Sequence, residues 1–185
     1  ELNSSEVYSL QFIGSGYHTL DHEVLARVAC DWEKHIIRSG IGDLWGDRIL
    51  TPLNHNKKIR IGYFSADFCN HPVCRFMLPI LSSHDRTKYE IIGLNCGVIT
   101  DEMTHKARVL CNEWHELHQL TCIDAARLIS DLKIDVLIEL GGYTANSRLD
   151  ILCHKPAKTQ LSYLGYFAPT YLKCIDGWIG DKILF

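Results

Sequence analysis

The sequence predicts an α/β fold, a Rossmann-like parallel sheet covered by helices and preceded by a helical linker. Three observations lead there. From residue 57 onward, short apolar runs alternate with amphipathic segments whose apolar residues recur every three or four positions. The connections are short, and parallel strands need helical crossovers of one hand to return to the sheet. The run Ile134-Asp135-Val136-Leu137-Ile138-Glu139-Leu140 has the β-branched character of an interior parallel strand.

Residues 1–20 are weakly patterned, with Val7, Leu10, Phe12 and Ile13 as apolar contacts and Gly14-Ser15-Gly16 as a breaker. Asp21 to Arg38 reads as an amphipathic helix, with Asp21 as cap, Gly40 as stop, and Val24, Leu25, Val28, Ala29, Trp32, Ile36 and Ile37 on one face. Gly40 to Asn56, with three glycines, a proline and two asparagines, reads as a connector. Ile59 to Ser65 is the first strand. Pro72 to Ser82 follows as a helix, Pro72 standing where a missing N–H costs nothing and Phe76, Met77, Ile80 and Leu81 forming its buried stripe. Strands are then expected at Tyr89–Asn95, Glu113–Leu117, Ile134–Leu140, Thr159–Leu164 and Ile175–Ile179. Helices are expected at Thr100–Asn112, Ile123–Leu132 and Asn146–His154.

Composition narrows the function. The 185 residues are 46% hydrophobic and 22% charged, which suits a folded core and argues against disorder. A net charge of -3 without a basic cluster argues against nucleic acid as partner, since neutralising phosphates takes grouped Lys and Arg. No apolar window is long enough for a membrane span, and the N-terminus lacks the basic and apolar regions of a signal peptide, so a cytoplasmic protein with no membrane partner is expected. The eight cysteines show no C-x-x-C pairing and read as reduced thiols. Cys69 and Cys74 flank His71, but their spacing matches no common zinc pattern, so no metal site is expected. Because the chain starts at Glu1 and stops just after an apolar run, both ends are expected to be cut from something longer.

Chemistry is expected where strands end, because open α/β sheets place sites beyond the carboxyl ends of their strands. After the first strand comes Ala66-Asp67-Phe68-Cys69-Asn70-His71-Pro72. His71 would stand at or next to a helix N-cap, where the dipole disfavours the imidazolium; a neutral imidazole there can take a proton from a substrate hydroxyl, or simply cap the helix. Asp67 could orient His71, but loop anchoring through an Asx turn is the reading preferred. Gly141-Gly142-Tyr143-Thr144 would let a ligand approach the backbone, and Leu164-Gly165-Tyr166-Phe167 would share the same rim. Arg148 reads as a structural pin, and His115 and His118 as packing or surface residues.

Taken together and in order, these motifs resemble the O-GlcNAc transferase/SPINDLY family. The resemblance is carried by Ile59-Arg60-Ile61-Gly62-Tyr63-Phe64-Ser65-Ala66-Asp67-Phe68 with His71-Pro72, by His84-Asp85 with Tyr89-Glu90, and by Ile134 to Gly142-Tyr143-Thr144. Arg148-Leu149, Lys155-Pro156-Ala157 with Gln160, and Tyr163-Leu164-Gly165-Tyr166 complete it. It implies the first domain of a GT-B glycosyltransferase at residues 57–185, with residues 1–56 as a helical linker that could end an upstream tetratricopeptide-type array and a second Rossmann-like domain beyond. It implies inverting transfer of a sugar, GlcNAc from UDP-GlcNAc, to Ser or Thr hydroxyls of an acceptor protein or peptide, with no cofactor and no required metal. His71 matches the family's motif histidine, as base or as acceptor-positioning group. Asp67, Asn70 and Pro72, then Gly142, Tyr143 and Thr144, then Gly165 and Tyr166 are expected to line the substrate cleft. The missing domain would bind most of the donor, so the isolated residues are expected to be inactive. Transfer of fucose, of glucose to Asn, or a non-catalytic acceptor-binding module or split-enzyme half are the alternatives.

Overall fold

The computed structural model describes residues 22–40, 44 and 57–182. Expectations for residues 1–20, the Asp21 cap and most of the 40–56 connector lie outside these. A long helix, α1 (His22–Ser39), comes first. Strand and helix then alternate: β1 (Ile59–Ser65), α2 (Pro72–Ser83), β2 (Tyr89–Asn95), α3 (Glu102–Val109), β3 (Glu113–Glu116) and α4 (Cys122–Asp131). They continue as β4 (Val136–Glu139), α5 (Leu149–Leu152), β5 (Thr159–Tyr163) and β6 (Gly177–Ile179). The strands form one six-stranded sheet in the order β3-β2-β1-β4-β5-β6, every pairing parallel. Among the described residues no helix is long and apolar enough to cross a membrane.

Period two sorts neighbouring apolar residues onto opposite faces of the sheet, which is why the strands are apolar almost throughout. Phe64, Ile92 and Leu137 point into one core with Ala29 and Trp32 of α1, Ile129 of α4 and Leu152 of α5. Tyr63, Ile91 and Ile138 point into the other, against Val73, Met77 and Leu81 of α2 and Ala107 of α3. The crossovers after β1 and β2 therefore cover one face, and the chain returns across the other through α4 to place β4 beside β1. At the β1–β4 boundary the two strand-end loops run to opposite sides, which makes it the switch point where open α/β sheets place their binding crevice.

Local chemistry explains where elements start and stop. Asp101 caps α3 by accepting the N–H of Met103 at 2.9 Å and Thr104 at 3.0 Å, while Thr104 Oγ1 accepts the Asp101 N–H. That cap starts the helix after Asp101, later than the expected Thr100. Thr121 caps α4 through the Asp124 N–H at 3.2 Å. The predicted helix over 146–154 shrinks to the single turn α5 and starts late, because Asn146 is left-handed at φ 63° and Arg148 is non-helical at the N-cap; Lys155, just beyond the predicted range, is also left-handed at φ 47°. Strand β4 is shorter than expected because Lys133 is left-handed and the Asp135 carboxylate turns aside to accept the Arg60 N–H at 2.8 Å. Phe76 is 61% exposed rather than in the α2 stripe, which is Val73, Cys74, Met77 and Leu81.

Arg60 holds the outer strands together. Its guanidinium donates to Glu90 on β2 at 2.6 Å, Glu113 on β3 at 2.7 Å and the Leu132 carbonyl at 2.9 Å. Glu33 performs a similar task for α1, its carboxylate accepting the backbone N–H of Lys173 at 3.0 Å and Cys174 at 2.8 Å.

Candidate functional site

Three strand-end loops meet at the β1–β4 crevice. Glycine makes the approach possible. A Cβ on Gly165 would lie 1.9 Å from the Leu140 carbonyl and 2.8 Å from Val73, so the loop after β5 rests on the backbone of the β4 loop and on the first turn of α2. Gly142 has φ +53°, and a Cβ there would be 2.2 Å from the Tyr166 ring.

The loop after β1 is anchored at both ends. Ser65 Oγ accepts the Asp67 N–H at 2.9 Å, so the turn is built by the serine hydroxyl and not by the expected Asx turn of Asp67. Asn70 donates its N–H to Asp101 at 2.7 Å and accepts from Arg75 at 2.8 Å, tying the loop to the α3 cap and to α2. Phe68 is buried against Trp114. These contacts bring His71 to the N-cap of α2, with Pro72 as the first helical residue. Its side chain is 44% exposed.

His71 Nδ1 has two neighbours: the Val73 N–H at 3.4 Å and the Asp67 carboxylate at 3.7 Å. They ask for opposite tautomers. With the proton on Nε2, Nδ1 caps the helix and Nε2 can only donate. With the proton on Nδ1, facing Asp67, the outward Nε2 carries a lone pair and can accept a proton. Burial raises the Asp67 pKa, an effect opposed by His71. Asp67 therefore stands beside the histidine at ion-pair distance, without a hydrogen bond to it.

The loop after β4 is organised from below by Glu139. Its carboxyl is buried, accepts the N–H of Gly141 and of Gly142, and receives the Ser162 hydroxyl at 3.3 Å. Burial raises its pKa to about 7, against the opposing pull of the two amides. Thr144 closes the turn by donating its hydroxyl to the Gly141 carbonyl at 2.7 Å. Tyr143 and Tyr166, expected among the cleft-lining residues, are both buried; the Tyr143 hydroxyl donates to the Thr170 carbonyl at 2.7 Å and its ring meets Trp32 and Tyr166 edge-on. Aromatic rings cannot be left in water cheaply when a core lies beside them, so they shape the wall from behind. Arg148 is a pin, donating to Asp150 at 3.2 Å and to the Leu120 carbonyl at 3.4 Å.

Glu139, Asp101 and Glu33 were not singled out in the sequence. Glu139 did carry a signal, as an acceptor two and three residues before consecutive glycine amides. Among the described residues, a group with metal-ligand geometry is Glu33, Cys153 and Cys174, all buried away from the crevice on the α1 side. Its carboxylate is engaged by two backbone amides.

Residues 48–184 match the family model described as glycosyl transferase family 41. The chain is 34% identical over 131 residues to the probable UDP-N-acetylglucosamine–peptide N-acetylglucosaminyltransferase SPINDLY of Arabidopsis thaliana, covering 69% of this chain and 14% of that protein. It is 32% identical over 144 residues to the UDP-N-acetylglucosamine–peptide N-acetylglucosaminyltransferase of Caenorhabditis elegans, covering 72% of this chain and 12% of the other. A solved structure of a mutant Thermobaculum terrenum O-GlcNAc transferase superposes with a TM-score of 0.80 at 25% identity, over 97% of this chain and 33% of that one. The chain thus spans about a seventh of the length of these curated relatives.

Proposed function

The chain belongs to glycosyl transferase family 41, and from that premise we propose that its β1–β4 crevice is the acceptor-side wall of a protein glycosyltransferase. The reaction is inverting transfer of GlcNAc from UDP-GlcNAc to a Ser or Thr hydroxyl of a protein, with a second Rossmann-like domain supplying the donor-side wall. The observation that carries the reading is that the His71 turn and the Gly141–Thr144 turn leave the adjacent strands β1 and β4, with Gly165 packed on Leu140 and Val73 between them and a carboxylate beside the histidine.

Displacement at an anomeric carbon needs an acceptor oxygen held in line and relieved of its proton. Asp67 favours the tautomer with Nδ1 protonated, which frees Nε2 to take the hydroxyl proton as the C–O bond forms; the nucleotide leaves from the opposite side of the sugar. Asn70 and Pro72 fix the turn from which His71 projects, and the partly exposed Thr144 and Gly165 set how close the acceptor backbone can come, with Gly142 buried behind them against Tyr166. No cofactor or metal is asked of these residues.

The test is transfer by the full chain from UDP-GlcNAc to a Ser/Thr peptide, compared with Asn peptides and with GDP-fucose and UDP-glucose as donors. His71→Ala should lower kcat about a hundredfold or more. A near-normal rate reduces His71 to a helix cap, and acceptor binding without transfer to any peptide leaves a binding module in place of an enzyme.

A further inference from the structure

Glu139 is a buried carboxyl that the proposed chemistry does not use. Burying such a group is costly unless every polar atom finds a partner, so its bonds mark its task. One oxygen receives both Gly141 and Gly142 amides, and the other faces the Ser162 hydroxyl. Two successive N–H groups converging on one oxygen, with a positive φ at Gly142, form the kind of concavity that elsewhere holds an anion.

We infer that Glu139 is a positioning residue of the acceptor wall, its carboxyl acting as a built-in occupant of the Gly141–Gly142 amide concavity and holding that turn in place beside the His71 loop. The turn could not hold this shape by sequence alone, because consecutive glycines are the least constrained backbone available. Both protonation states of the acid satisfy the arrangement. The ionised form accepts on both oxygens; the neutral form keeps one oxygen for the amides and gives its proton to Ser162 Oγ. Glu139 pairs in register with Phe64 of β1, at the strand end from which the His71 loop departs. Glutamine reproduces the neutral acid, with its oxygen on the amides and its NH2 toward Ser162; alanine leaves both amides without an acceptor.

The inference rests on the proposed transfer for its rate readout only. In the full chain, Glu139→Ala should speed hydrogen exchange at the Gly141 and Gly142 amides by about tenfold or more, leaving the Tyr63 and Phe64 amides of β1 unchanged. Its kcat should fall about a hundredfold with the donor KM held, as expected for a misplaced wall, and added formate should restore part of both. Glu139→Gln should keep wild-type exchange and most of the rate. Should Glu139→Ala not fold, Glu139→Asp replaces it, too short to reach both amides, with the same losses expected. Unchanged exchange in the alanine or aspartate variant overturns the inference, as does a glutamine variant as slow as alanine. If the wild-type chain transfers no sugar, the transfer reading fails and the exchange readout alone decides on Glu139.

Discussion

Replacing Glu139 by Gln should make the protein more stable, and by an amount that grows with pH. The carboxyl ordinarily titrates at 4.5, and burial raises it to about 7 in the folded chain. An acid with a raised folded-state pKa binds its proton more tightly when folded. Its contribution is therefore fully present below about 4.5, declines as pH rises toward 7, and is lost above. The interval corresponds to about 3 kcal/mol favouring the neutral form. Glutamine cannot ionise and keeps the neutral acid's bonds, so it escapes that loss. Urea unfolding of wild type and Glu139→Gln at pH 5, 7 and 8.5 should give a difference below about 1 kcal/mol at the lowest pH and about 3 kcal/mol at the highest. Groups that do not interact with Glu139 cancel in the difference. A gap independent of pH, or one that closes as pH rises, would refute the account of a carboxyl held neutral by burial.

Further outcomes follow from the packing. Gly165→Ala should destabilise by about 3 kcal/mol, since its Cβ would meet the backbone carbonyl of Leu140, which cannot yield as a side chain can; thermal unfolding measures it. Arg60→Ala leaves two carboxylates facing each other across β2 and β3 and should cost about 2 kcal/mol, less than a fully buried pair because both glutamates are about one-third exposed; denaturant midpoints test this. Glu33→Ala removes the acceptor from the Lys173 and Cys174 amides and should cost about 3 kcal/mol, with faster proteolysis within residues 22–40 as the direct readout.

How far the sequence revealed this depended on whether a residue's partner lay nearby in the chain. The strands and their common direction follow from patterning that each segment carries within itself, and His71-Pro72 announced a helix start whose capping contact, with the Val73 N–H, lies two residues along the chain. The late start of the helix after Asn146 depended on left-handed backbone at Asn146, a conformation asparagine usually takes; the left-handed Lys155 beyond its end is a residue that rarely does. Tyr143 and Tyr166 looked like cleft residues because aromatics beside glycines on a strand-end loop suit ligand binding. Only the position of Trp32 on α1 shows why they turn inward. Glu33 lies 140 residues from the amides it serves, and nothing local to it indicates a partner.

The tie between Glu33 and the 173–174 backbone, with Trp32 seated on Tyr143, also bears on how this unit can be moved between proteins. A graft cut at residue 57, where the sheet begins, would slice through a shared interior and carry away the rear support of the crevice. The transplantable piece begins no later than His22, so recombination that respects the structure must bring α1 along with the sheet.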